Sequence, residues 1–243
     1  FSLGKLNGIL KAAGYDSSIF DINIKAWNKY SFSCSENAKN MFERDLWSPQ
    51  AMWDWKTFTF EKSLIPKLQP FFEEIVNEIL EYSPDVVGFS IYDVNHKSTS
   101  WVARELKQRQ PDIKIMVGGS HIHYGYHDID IRYYDYIVKG EGEQSILTVL
   151  DKIENNEQPD NKPEIIQQPP QTFINLDSLP VPDYSGIDFS EYETNNVYTE
   201  FSRGCVADCT FCGETHFWKY RQRTAENMLD EILTLSKKHN GIE

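Results

Sequence analysis

Val86-Val87-Gly88-Phe89-Ser90-Ile91, introduced by Pro84-Asp85, is a continuous apolar run of strand length. A strand covered on both faces needs apolar residues at successive positions rather than alternate ones, which is the pattern of a central parallel strand. Similar runs occur at Lys114-Ile115-Met116-Val117, ending in Gly118-Gly119, and at Tyr136-Ile137-Val138, ending in Gly140-Glu141-Gly142-Glu143. Helical stretches separate and flank them. Leu64, Ile65, Leu68, Phe71, Phe72, Ile75, Val76, Ile79 and Leu80 recur at i, i+3, i+4, with Pro66 tolerable in the first turn. Residues 101–108 read as helix, and Leu147 with Val149-Leu150 continues into another. Strands alternating with helices predict a doubly wound parallel α/β sheet.

In such sheets ligands bind beyond the carboxyl ends of the strands. Those ends are Ser90-Ile91-Tyr92, Gly118-Gly119-Ser120 and Gly140-Glu141-Gly142-Glu143. Small residues there let backbone approach a large ligand; tight packing alone is the other reading of each glycine pair.

Outward from this centre, Leu6, Ile9, Leu10 and Ala13 mark one face of a first helix that Gly14 stops. Ser18-Ile19-Phe20-Asp21-Ile22 reads as a buried strand. Residues 25–63 lose the pattern, with Trp27, Trp47, Trp53 and Trp55 among polar residues, and read as an aromatic-rich insertion that packs on something. Residues 155–196 carry Pro159, Pro163, Pro169-Pro170, Pro180 and Pro182 and read as a linker. Val197-Tyr198-Thr199-Glu200-Phe201-Ser202 reads as a strand. Thr224 caps a helix through Leu235, with Ala225, Met228, Leu229, Ile232 and Leu233 on its buried side. The expected organisation is a domain over residues 1–154, the linker over 155–196 and a second domain starting at 197–243.

The second domain opens with Phe201-Ser202-Arg203-Gly204-Cys205-Val206-Ala207-Asp208-Cys209-Thr210-Phe211-Cys212. Three of the chain's four cysteines lie here at the spacing C-x-x-x-C-x-x-C. Soft thiolates suit zinc or iron-sulfur clusters, but a closed zinc site needs four ligands and the local count is three. An iron-sulfur cubane on three cysteines leaves one iron open to a small molecule, which implies chemistry rather than scaffolding. A zinc knuckle completed by His216 is the alternative. A disulfide within the loop would leave an odd cysteine, and Cys34 reads as a buried free thiol. His121-x-His123-x-x-x-His127 shares no strand or helix period, and His96 reads as a loop histidine at the mouth of the strand edge.

Composition narrows the partners. With 40% hydrophobic and 14% aromatic residues the chain can bury a core. Its net charge of -13 disfavours nucleic acid, which needs a basic stripe. The one basic run, Lys219-Tyr220-Arg221-Gln222-Arg223, reads as a solvated face, or else as a contact for an anionic substrate. No run approaches the ~18 apolar residues of a membrane span and nothing resembles a signal peptide, so a soluble, cytoplasmic protein is expected, where clustered cysteines read as ligands. Phe1 is not an initiator methionine and the end follows a helix directly, so a fragment of a longer protein is expected.

The cysteine stretch resembles the signature loop of the radical S-adenosylmethionine enzymes, through Ser202-Arg203-Gly204-Cys205 and Cys209-Thr210-Phe211-Cys212. The resemblance implies that Cys205, Cys209 and Cys212 hold a [4Fe-4S] cluster whose fourth iron takes S-adenosylmethionine, cleaved by one electron to a 5'-deoxyadenosyl radical. It also implies an electron donor such as flavodoxin or ferredoxin and a small-molecule or peptide substrate. The strand edge is similar to the cobalamin-binding domain with its pattern D-x-H-x-x-G, S-x-L, G-G: Gly4 stands at the end of the first motif, Ser90-Ile91-Tyr92 at S-x-L, and Gly118-Gly119 at G-G. This implies cobalamin against Gly4, Ser90, Tyr92, Gly118, Gly119, Gly140, Glu141 and Gly142. The cobalt-ligating histidine position falls on Phe1, which implies a corrin without a histidine beneath it. Leu179-Pro180-Val181-Pro182-Asp183-Tyr184 resembles the connector between the two domains. The implied architecture is a Rossmann-like cobalamin-binding sheet followed by the first β/α unit of a radical S-adenosylmethionine barrel, incomplete and inactive alone. The implied chemistry is methyl transfer to, or cyclisation or rearrangement of, an unactivated carbon. A methylthiotransferase-like enzyme without corrin and a non-catalytic cobalamin or iron-sulfur sensor are the rival readings.

Overall fold

The computed structural model describes residues 2–30, 46–47, 49–125, 128–157, 159, 163–168, 173–193, 196–207, 209–212 and 218–239. In chain order the elements are α1 (Ser2–Ala12), α2 (Ile22–Tyr30), α3 (Pro49–Lys56), α4 (Ile65–Glu81), β1 (Val86–Ser90), α5 (His96–Arg109), β2 (Lys114–Gly118), α6 (Ser120–Gly125), β3 (Tyr136–Lys139), α7 (Gly142–Glu154), β4 (Glu164–Gln167), β5 (Ser202–Arg203), β6 (Arg221–Gln222) and α8 (Ala225–Lys238). They fall into two compact units: Ile22–Gln168, and Phe1–Asp21 with Pro169–Glu243. The boundaries differ from a division at 154 and 196, because residues 1–21 pack with the later part of the chain.

The unit Ile22–Gln168 is built on a parallel sheet of order β1-β2-β3-β4, the α/β architecture that the alternating pattern predicts. Its centre is β2 and β3, where Ile115, Met116, Val117, Tyr136, Ile137 and Val138 are all buried, as covered faces require. The apolar run of β1 suggests a central strand, yet β1 is an edge strand among the described residues, half-buried with Gly88 exposed. β4 lies within the stretch that reads as linker; a pair of isoleucines between prolines is too short a signal to announce it. Asp135 ties the entry of the sheet together: its buried carboxylate accepts from the Ile115 N–H at 2.9 Å and from Lys107 Nζ at 2.6 Å.

Against this sheet unit's helices the aromatic insertion finds its place. On α4, Leu68, Phe71, Phe72, Ile75, Val76 and Ile79 are buried as the spacing predicts. A π-helical turn, Phe60–Leu64, runs into α4. From there Trp55, Phe60, Phe72 and Trp101 form a succession of ring contacts at 5.7, 6.1 and 5.4 Å. Trp27 meets Trp47 edge-on at 4.9 Å. Of the scattered tryptophans, Trp55 thus joins the rings of α4 and α5, Trp27 pairs with Trp47 and Trp53 is exposed, with α2 and α3 as helices where no pattern was visible. Cys34 lies outside the described residues.

In the other unit, Ser18–Ile22 does not form the expected strand. Ile19 is instead buried with Tyr184 and Leu235, and its N–H donates to the Ser185 carbonyl at 3.0 Å. Helix α1 takes the connector across its glycines. A Cβ on Gly4 would stand 2.5 Å from the Tyr184 ring, and one on Gly8 would land on the Val181 carbonyl oxygen. Asn7 Nδ2 then reaches the Asp183 carbonyl at 3.0 Å, and the Asp183 N–H donates to the Gly4 carbonyl at 2.9 Å.

Helix α8 is capped as predicted, Thr224 Oγ1 accepting from the Asn227 N–H at 3.3 Å. Its buried face is not the predicted one. Leu229, Ile232 and Leu233 are exposed, while Leu235 and Glu231 are buried. The reason is a charged group: Glu231 Oε2 lies 2.7 Å from Arg223 Nη1 and 3.5 Å from Lys5 Nζ, all three residues under 5% exposed. Arg223 also donates to Asn227 Oδ1 at 2.7 Å and to the Glu200 carbonyl at 3.2 Å. Burial lowers the Lys5 pKa, a tendency that nearby Glu231 opposes. The basic run is a solvated face only in part: Lys219, Tyr220 and Gln222 are exposed, whereas Arg223 is interior and Arg221 donates to the Ile174 carbonyl while lying 4.9 Å from the Phe173 ring centre. No helix among the described residues is long and apolar enough to cross a membrane.

Removing the anion of a buried group strands its cations, so Glu231→Ala should cost about 3–5 kcal/mol, and Ile115→Ala about 2–5 kcal/mol through lost packing. Urea denaturation measures both. A loss below about 1 kcal/mol for Glu231→Ala would place that ion pair with solvent-exposed ones.

Candidate cofactor sites

Parallel pairing brings the ends of β1, β2 and β3 to one edge of the sheet, with Ser90 directly opposite Gly118. Asn95 organises the turn after β1: its Oδ1 accepts from the Tyr92 N–H at 2.7 Å and its Nδ2 donates to the Ser90 carbonyl at 3.3 Å. Tyr92 is exposed. Gly118 is an ordinary strand end, where a Cβ would meet Val138 at 3.5 Å. Gly119 is a different case. Its φ is +112°, and a Cβ would land on the Ile91 carbonyl oxygen, so only glycine lets the chain pass β1 this closely.

Gly140 has φ +89° with open space around the Cβ position, Glu141 is buried, and Gly142 begins α7. Ser90, Tyr92, Gly118, Gly119, Gly140, Glu141 and Gly142 thus share one edge of one unit, with small groups and turn backbone suited to a broad, flat ligand such as a corrin. Gly4 belongs to the other unit, where Tyr184 occupies the space its missing side chain leaves. Asn95 is the contributor the sequence reading missed; an asparagine three residues beyond Tyr92 is a turn signal that would have found it.

The cysteine loop is closed by a two-residue antiparallel ladder, Ser202 opposite Gln222 and Arg203 opposite Arg221. This replaces the six-residue strand expected over 197–202: only Ser202–Arg203 is strand, and its partner is antiparallel. Arg203 is held by Glu200 through two contacts of 2.9 and 2.8 Å. Gly204 has φ +80°, and a Cβ would stand 2.6 Å from the Trp218 carbonyl oxygen. The glycine of Ser202-Arg203-Gly204-Cys205 is thus demanded both by conformation and by close approach.

Beyond it Cys205 is exposed and Cys209 and Cys212 are half-buried, all three as free thiols. The Ala207 N–H donates to Cys205 Sγ at 3.4 Å, and the Cys212 N–H turns back on the Cys209 carbonyl at 3.0 Å. Three soft donors on one tight loop fit a thiolate-bound iron centre. Their ligand atoms do not gather within 4.8 Å as those of a single-ion site would; thiolates on separate corner irons stand farther apart than thiolates sharing one ion. His216, the proposed fourth zinc ligand, lies outside the described residues. So does His127; His121 stacks on His96, ring centres 4.6 Å apart.

Comparison with known proteins bears on the sheet unit. Residues 58–150, within the sheet unit, match the B12 binding domain family. The chain is 26% identical to the anaerobic magnesium-protoporphyrin IX monomethyl ester cyclase of Rubrivivax gelatinosus, over 69% of this chain and 34% of that protein. It is 26% identical to the cytidylyl-2-hydroxyethylphosphonate methyltransferase of Streptomyces wedmorensis, over 70% of this chain and 40% of that protein. With the hopanoid C-3 methylase of Methylococcus capsulatus the identity is 29%, over 65% of this chain and 34% of that protein. The chain therefore spans 34–40% of the length of these relatives. The sheet unit thus carries a match to the B12 binding domain over residues 58–150, and relatives named as a cyclase, a methyltransferase and a methylase align over 65–70% of this chain.

Proposed function

We propose that the chain is the corrin-binding and cluster-bearing part of an enzyme that transfers a methyl group to, or cyclises or rearranges, an unactivated carbon of a small-molecule or peptide substrate. The observation that carries this is three free thiols on one glycine-turned loop, in a chain whose other unit contains a B12-binding domain. Relatives named as a cyclase and as methyltransferases support that range of reactions.

When bound, a [4Fe-4S] cluster supplies the electron for S-adenosylmethionine cleavage, and cobalamin supplies a methyl carrier or a second redox centre. Cys205, Cys209 and Cys212 would hold three irons. The Ala207 N–H orients the Cys205 sulfur, Gly204 lets the loop turn immediately before that cysteine, and the Ser202–Arg203 pairing with Arg221–Gln222 holds the loop's two ends together. Ser90, Tyr92, Gly118, Gly119, Gly140, Glu141 and Gly142 would present backbone and small groups to the corrin, with Asn95 fixing the turn after β1. The electron is assigned to a donor such as flavodoxin or ferredoxin.

The full-length protein, purified anaerobically and reconstituted, should hold about four irons per chain and a corrin. Cys205→Ala, Cys209→Ala and Cys212→Ala should each lose the iron and the formation of 5'-deoxyadenosine. A stoichiometric zinc ion in place of iron would overturn the reading, and an intact cluster that forms no 5'-deoxyadenosine with reductant would favour a sensor.

The two sheet glycines separate binding from folding. Gly118→Ala should leave stability within about 1 kcal/mol, its methyl making only ordinary contacts, while reducing corrin retention severalfold. Gly119→Ala should cost about 1–3 kcal/mol through its positive φ. Unchanged corrin retention in folded Gly118→Ala would remove that residue from the site.

A further inference from the structure

The same sheet edge carries a group of side chains that neither cofactor uses. Asp93, His96 and His121 each offer a ligand atom within 4.8 Å of the others, the one such group of three among the described residues. Asp93 and His96 follow β1, and His121 follows Gly119 at the end of β2, so parallel pairing assembles them from two crossover loops. Asp128 completes the cluster from the next loop.

Hydrogen bonding fixes which nitrogens are available. His96 Nδ1 lies 2.6 Å from the Asp93 carbonyl oxygen. A carbonyl only accepts, so Nδ1 carries the proton and Nε2 presents its lone pair. That Nε2 is buried, has no hydrogen-bond partner and lies 3.6 Å from Asp128 Oδ2, while the His96 side chain is 1% exposed. A lone pair therefore faces a carboxylate oxygen, with no hydrogen-bond donor to it among the described residues.

His121 repeats the arrangement. Its Nε2 donates to Asp128 Oδ1 at 2.9 Å, which leaves the Nδ1 lone pair 4.0 Å from Asp93 Oδ1. The two rings are stacked with planes 15° apart. Lys56 engages the other oxygen, Asp93 Oδ2, at 3.0 Å, so Oδ1 stays available. A proton on His96 Nε2 would relieve the repulsion only by burying an imidazolium, which desolvation opposes.

We infer that Asp93, His96, His121 and Asp128 form a site for a divalent first-row transition ion. Two imidazoles and carboxylate oxygens are the donor set of zinc and ferrous iron. The 3.6 Å between His96 Nε2 and Asp128 Oδ2 is spanned by an ion about 2.1 Å from each; because an imidazole lone pair lies in its ring plane, His121 turns out of the stack to become a further ligand. The Asp93 and Asp128 side chains are more than half exposed, which opens a path from solvent to the buried nitrogen. The ion would tie the loops after β1, β2 and α6 together beside the corrin edge. The inference stands whether or not the cysteine loop carries an iron cluster.

Cobalt(II) titration tests it, because thiolate ligation announces itself by charge-transfer bands in the near ultraviolet. With Cys205, Cys209 and Cys212 replaced by alanine, the full chain should bind about one cobalt(II) per chain, with visible d–d absorption, no thiolate charge transfer, and displacement by zinc. Asp128→Asn and His121→Gln should each weaken binding at least tenfold. His96→Gln should abolish it; if circular dichroism shows that this variant has unfolded, the other two decide. No d–d absorption, or affinity unchanged in both Asp128→Asn and His121→Gln, would mean an adventitious ion only and overturn the site.

Discussion

Parallel strand pairing is the constraint on which the sheet unit depends. Adjacent parallel strands start at one side of the sheet and finish at the other, so every crossover leaves from the same edge. Because β1 and β2 pair in register from Val86 with Lys114 to Ser90 with Gly118, the loops that follow them must share space. Gly119 is the consequence: its backbone passes so close to Ile91 that no side chain fits. The same crowding brings His96 and His121 face to face.

Burial on both faces makes this arrangement stable, and it also limits where chemistry can sit. The buried positions of the middle strands are apolar apart from the Tyr136 hydroxyl, and their lysines, Lys114 and Lys139, lie at the strand ends. Polar function is confined to the rim, where turns supply free N–H groups, carbonyls and glycines. Asp135 is the exception inside, and it acts structurally, accepting from the backbone of β2 and from Lys107.

The other unit is organised by a different interaction. Glu231 sits between Arg223 and Lys5, so elements far apart in sequence, α1, the strand leading out of the cysteine loop and α8, meet at one buried charge. Arg223 follows β6 directly and reaches the Glu200 carbonyl just before β5, which couples both legs of the cysteine loop to that centre. The thiols therefore lie on a loop whose base is anchored by charge, while their own side chains remain accessible or half-buried. Both proposed cofactors would carry the difficult chemistry; the chain's part is to supply thiolates in one unit and a glycine-lined rim in the other.

How much of this was readable in advance follows from the range of the interactions. Local patterns determined local structure: the apolar runs of β2 and β3, the i, i+3, i+4 face of α4, the Thr224 cap, and a cysteine spacing that can belong only to one loop. Gly204 beside Cys205 was also legible, since a conformational demand is written at a single position. Tertiary structure decided whatever depended on a distant partner. The edge position of β1, the recruitment of β4 from a proline-rich stretch and the placement of Ile19 outside the sheet all turn on which backbone lies alongside, and periodicity does not encode that. On α8 the hydrophobic face pointed one way and the chain turned the other, because a buried carboxylate with two cations outweighed three leucine-type side chains. Histidines spaced 121, 123 and 127 shared no period, and nothing in the spacing announced that the parallel register joins His121 to His96, twenty-five positions earlier. Residue type and spacing specify which chemistry is available; only the packing of strand ends and the burial of charge specify which groups meet.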